Sequence, residues 1–168
     1  RVVKHFDPDH KMTKKTRDKL LSTALLFPAS FNIQKWHFVV VDDVEQRMRI
    51  REASWDHKQV TDASLLIILC TDLEAWKDES LHCWHPAQQS FEEFLVPSRG
   101  SIYSSLDPMQ RDEVMRSCGI VAQTLMITAQ TMGYDSCPMD GFDAEVVGDL
   151  INIPEDHAVC MFVAIGKG

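Results

Sequence analysis

The chain has 168 residues, 45% of them apolar and 25% charged, which suits one globular domain with room for a sizeable core. Its net charge of −8 argues against nucleic-acid binding, which needs a basic face, and no apolar run approaches the roughly 18 residues of a membrane span. Five irregularly spaced cysteines and no charged-then-apolar leader argue against a disulfide framework and fit a reducing cytoplasm.

The chain begins with Arg1 rather than Met, so further residues are expected ahead of it. Residues 1–15 are basic, through Arg1, Lys4, Lys11, Lys14 and Lys15 with His5 and His10. Such a run is a solvated terminus or an anion site. Thr13 is placed to cap a first helix reaching Leu26, with Leu20, Leu21, Ala24 and Leu25 on one face. Pro28 ends it. Residues 28–36 carry Ser30, Asn32 and Gln34 at alternate positions, a row of neutral hydrogen-bonding groups if the loop is extended. Such residues also close ordinary turns. A strand over residues 37–41 follows, so the loop is mounted on the core.

Asp43 with Gln46 has the spacing of a capping box and predicts a short helix to about Ala53. Residues 55–61 are polar, a loop or single turn. Residues 64–70 are apolar throughout, which predicts a strand buried on both faces. Residues 73–106 mix aromatic and polar residues with Pro86, Pro97 and Gly100 and predict helices and a loop, a candidate lid. His82, Cys83 and His85 lack the i, i+4 spacing and the intervening Glu of a catalytic zinc helix, so no metal is expected there.

Asp107-Pro108 is a helix start, and the helix is predicted to run to Met132 with Gly133 at C′. From Cys118 on it is apolar almost all round, as a central, buried helix is. Pro138 and Gly141 predict a loop over residues 136–143; Asp143 then caps a short helix, and a last strand covers residues 158–165. Helices and strands thus interleave around at least three core strands. Neither glycine-rich phosphate fingerprint, no G-x-S-x-G elbow and no acid/base pair is present, so the hard chemistry of any enzyme here falls to a cofactor.

Four stretches, in order and covering nearly the whole chain, resemble the FMN-dependent nitroreductase family. They are Arg1-Val2-Val3-Lys4-His5-Phe6; Pro28-Ala29-Ser30-Phe31-Asn32-Ile33-Gln34-Lys35-Trp36-His37-Phe38; Gln59-Val60-Thr61-Asp62-Ala63-Ser64; and Gly133-Tyr134 with Pro138-Met139-Asp140-Gly141-Phe142-Asp143. The resemblance implies a single α+β domain over residues 1–168, with a central mixed or antiparallel sheet, a long buried helix, and FMN at a homodimer interface. The family continues past both ends of this sequence. By the same resemblance Arg1 and Lys4, with Val2 between them, hold the FMN phosphate. Pro28, Ala29 and Ser30 reach the flavin from the opposite subunit, Asn32 meets it, and Gln59 lies near the ring or ribityl chain. Pro138, Met139, Asp140 and Gly141 form the edge beside flavin N5, with backbone N–H groups from Asp140 and Gly141 as donors. Glycine permits close backbone approach there, and no side chain is required as catalyst. Ala29 and Val2 stand where the family has Ser, and Lys35 where it has Pro. The implied activity is transfer of electrons from NADH or NADPH to nitroaromatic, quinone or similar flat acceptors in ping-pong fashion. The alternative is a non-catalytic flavin-binding or interaction protein on the same scaffold.

Overall fold

A computed structural model describes residues 2–26, 36–74 and 107–168. The family-like loop at residues 28–35, the candidate lid from residue 75 on, and His82, Cys83 and His85 lie outside these. The described elements are α1 (Lys14–Ala24), β1 (Trp36–Val40), α2 (Val44–Glu52), α3 (Gln59–Asp62), β2 (Leu65–Asp72), α4 (Asp107–Thr131), β3 (Asp135–Met139), α5 (Ala144–Ile151) and β4 (His157–Gly166). Among the described residues no helix is long and apolar enough to cross a membrane.

The strands form one antiparallel sheet in the order β1-β2-β4-β3. β2 is central, and its side chains alternate between two cores. Leu65, Ile67 and Leu69 face Leu20 and Ala24 of α1 and Val121, Ala122, Leu125 and Ala129 of α4. Leu66, Ile68 and Cys70 face Ile50 of α2, Val60 of α3 and Val147 of α5. Helices therefore cover both faces of the sheet, and this explains the uninterrupted apolar run of β2.

Local chemistry sets the helix ends. Thr13 Oγ1 accepts from Thr16 N at 3.2 Å and starts α1, which stops at Ala24, so Leu25 stands half exposed rather than on the buried face. Asp43 caps α2 by accepting from Gln46 N at 2.7 Å. The box is only half made, because Gln46 Nε2 donates to Leu150 O of α5 instead. α4 spans 25 residues, about 37 Å at 1.5 Å per residue. Gly133, at φ +76°, follows it in the left-handed conformation that favours glycine.

A further expectation from the sequence is corrected. Residues 136–143 do not all form a loop: Asp135–Met139 is a strand that includes Pro138. β3 sits at the sheet edge, with β4 as its only partner strand among the described residues. A proline there can turn its missing N–H outward and leave the ladder intact.

Candidate functional site

The outer edge of β3 builds the site. Val3 N donates to Ser136 O at 3.1 Å, and Val2 bridges Ser136 in parallel. Ser136 therefore presents its backbone outward, as Pro138 does, and Asp140 follows directly on the end of the strand at Met139. Phe6 is buried against Gly166, and Asp7 N donates to Lys167 O at 2.7 Å, so the N-terminal segment is fastened on both sides of Lys4.

At this edge lies a cleft of about 110 Å³, lined by Lys4, Trp55, His57, Gln59, Cys137, Pro138, Met139, Asp140 and Gly141. Ligand pockets typically enclose about 300–1,000 Å³, so the described residues make part of a site. Six sequence candidates meet there: Lys4, Gln59, Pro138, Met139, Asp140 and Gly141. Val2 lies instead in an adjoining cleft with Tyr134, Asp135, Ser136 and residues of α4. Arg1, Pro28, Ala29, Ser30 and Asn32 are outside the described residues.

Trp55 and His57 were not foreseen from the sequence. They stand on the turn after α2, where Trp55 and Asp56 both have positive φ, 51° and 57°. Non-glycine residues are held in that conformation only by their surroundings. Here Arg51 does the holding. Its Nε donates to Asp56 Oδ1 at 2.7 Å, and its carbonyl accepts from Asp56 N at 3.1 Å. The bond from Arg51 keeps the Asp56 carboxyl below its usual range. The turn lays the indole of Trp55, 76% exposed, directly over Gly141. A Cβ at position 141 would stand 2.6 Å from Trp55 Cζ3.

The cleft holds one cation, Lys4, and one acidic residue, Asp140. Lys4 makes no ion pair among the described residues. Burial pushes the Cys137 thiol up, and the nearby ammonium of Lys4 opposes that shift. The cleft thus combines a cation at Lys4, an acidic residue at Asp140, an amide from Gln59, the end of the β3 edge, and apolar walls from Met139 and Trp55. That donor set fits a flat, amide-rich ring carrying an anionic tail.

The family model described as "Nitroreductase family" matches residues 1–167, so the chain belongs to the nitroreductase family. It is 45% identical over 167 residues to protein DrgA of Synechocystis sp., a match covering 99% of this chain and 80% of that one. It is 28% identical over 173 residues to MhqN of Bacillus subtilis, provisionally named an NAD(P)H nitroreductase, covering 99% and 84%. A crystal structure of an Exiguobacterium sibiricum protein in complex with FMN superposes with a TM-score of 0.83 at 25% identity, covering 100% of this chain and 84% of that one.

Proposed function

We propose that the protein is an FMN-dependent oxidoreductase that draws on NADH or NADPH and reduces flat acceptors such as nitroaromatics and quinones. The observation that carries this reading is the cleft at the edge of β3, where Lys4, Gln59 and the Met139–Gly141 edge meet beside an exposed indole. The names of MhqN and of the FMN-bound Exiguobacterium protein support it. When bound, FMN supplies the redox chemistry, accepting two electrons from the nicotinamide and passing them on in a second half-reaction.

The chain's own residues bind and orient. Lys4 pairs with the phosphate. The backbone N–H groups of Asp140 and Gly141 would hydrogen-bond the ring edge and fix its position, with no side-chain base. Gln59, 8% exposed on the first turn of α3, offers a rigidly held amide to the ring or ribityl chain. By the family resemblance, Asn32 and, from a second copy of the chain, Pro28, Ala29 and Ser30 would supply the remainder of the site. The α4 face that would meet that copy carries Ile120 and Ile127, 45% and 52% exposed at i and i+7. The test is visible absorbance of the purified protein, incubated with FMN, desalted and kept anaerobic. A flavin spectrum that bleaches with NADH or NADPH and returns with a quinone is expected. A protein that retains no FMN overturns the reading, and one that holds FMN without bleaching supports the non-catalytic alternative.

A further inference from the structure

Two cysteines outside the cleft are brought together by an irregularity in the sheet. Between Leu69 and Cys70 the pairing of β2 with β4 slips: Leu69 faces Met161 and Cys70 faces Val159, leaving Cys160 as an extra residue. Such a bulge re-aims a side chain. Counting back from Phe162 and Ala164, strict alternation would turn Cys160 toward the α2 side of the sheet. Instead Cys160 and Met161 both pack on the α4 side. There Cys160 Sγ stands 2.9 Å from Cys118 Sγ on α4. Even two carbon atoms make their best contact only at about 3.5–4.0 Å. Both thiols are free, Cys118 buried and Cys160 partly so.

We propose that Cys118 and Cys160 form a modification site, a dithiol that a small-molecule disulfide such as oxidised glutathione converts into a disulfide joining α4 to β4. The sulfurs need to close by less than about 1 Å to reach bonding distance. One protein thiolate attacks the small disulfide, releasing one glutathione thiolate and leaving a mixed disulfide. The second protein thiol gives its proton to solvent, attacks that mixed disulfide and releases the second glutathione. Two protein thiols are oxidised and one glutathione disulfide is reduced to two thiols. The contact with Cys118, and then burial, hold the Cys160 thiol far above its ordinary range. Formation is therefore slow near neutral pH and quickens as pH rises. The bond closes a loop that contains β3, the cleft residues Cys137 to Gly141, and α5, and so ties the wall of the cleft to the long helix. An irregular set of five cysteines gives no framework, but a single pair needs none.

The test is incubation of the native chain with oxidised glutathione at pH 8.5, trapping of remaining thiols, digestion without reductant and mass spectrometry. The expected result is a peptide pair joined through Cys118 and Cys160, lost on adding dithiothreitol. The melting temperature of the oxidised protein should be about 5–10 °C above that of the reduced one. Cys118→Ala should abolish both the cross-link and the shift. If that variant fails to fold, the peptide map of the unaltered chain decides alone. Cys160 joined to Cys70, stable glutathione adducts at Cys118 or Cys160, or both thiols still free after prolonged incubation would each overturn the proposal.

Discussion

Replacing Gly141 by Ala tests why a glycine stands at the edge of the cleft. The added Cβ would lie 2.6 Å from Trp55 Cζ3 and 2.7 Å from Cε3, distances real contacts do not reach. Gly141 itself is not in the left-handed region, so the indole, not the backbone, excludes a side chain. Overpacking costs about 1–3 kcal/mol. Because Trp55 is 76% exposed and free to swing outward, the low end applies, about 1 kcal/mol. Trp55→Ala removes the obstacle and should cost little by itself. In that background Gly141→Ala should become neutral or stabilising by about 0.5 kcal/mol, since alanine restricts the unfolded chain. The assay is a double-mutant cycle from urea midpoints at unchanged m, and the expected coupling is about 1–1.5 kcal/mol. If the cost of Gly141→Ala is the same in both backgrounds within about 0.5 kcal/mol, Trp55 does not set this position and the reasoning fails.

Other outcomes follow from the same geometry. Arg47 is 8% exposed and donates from Nε to Val41 O at 2.7 Å and from a terminal nitrogen to Ala63 O at 2.6 Å. Arg47→Leu should strand both carbonyls and lower stability by about 2–4 kcal/mol in urea unfolding, and a loss under 1 kcal/mol would show that water replaces the guanidinium. The Asp56 carboxyl is held low by Arg51, so its folded value lies below its unfolded value. The pair therefore stabilises above the ordinary carboxylate range and is lost as pH falls through the lowered value. The melting temperature of Asp56→Asn should lie below that of the parent at neutral pH and converge with it in acid; a gap unchanged across pH would exclude the ion pair as its source. If the chain pairs through α4 as proposed, Ile127→Glu should weaken self-association about a hundredfold or more in sedimentation equilibrium, and an unaltered mass profile would refute pairing through that face.

Much of the fold was legible because it rests on local chemistry. The apolar run of β2, the caps at Thr13, Asp43 and Asp143, and Gly133 after the long helix each state their role within a few residues. What escaped depends on partners far along the chain. Pro138 signals a loop until its strand is known to lie at an edge, a property set by β4 and not by its neighbours. The half-made capping box at Gln46 has the same origin, since its amide found Leu150 O, 104 residues away. Of the candidate site, the motif resemblance singled out Lys4, Gln59 and residues 138–141, and the fold brings these to one cleft. It missed Trp55, because an exposed indole in a polar loop carries no periodic signal, and nothing in Trp55-Asp56 announces two left-handed residues. Arg51, four residues upstream of Trp55, was the available clue, a cation within reach of the Asp56 carboxylate.

The most direct measurement of the central claim is a titration of FMN and of riboflavin, followed by flavin fluorescence, into the parent chain and into Lys4→Ala. Riboflavin has the ring and ribityl chain but no phosphate, so the pair isolates the cation at the cleft. Losing one charge-assisted partner is worth about 1.5–3 kcal/mol, roughly tenfold to a hundredfold in affinity. The account predicts that Lys4→Ala weakens FMN by that factor and leaves riboflavin unchanged. Equal affinity of both chains for FMN would contradict a phosphate at Lys4 and, with it, the placement of the flavin along the edge of β3.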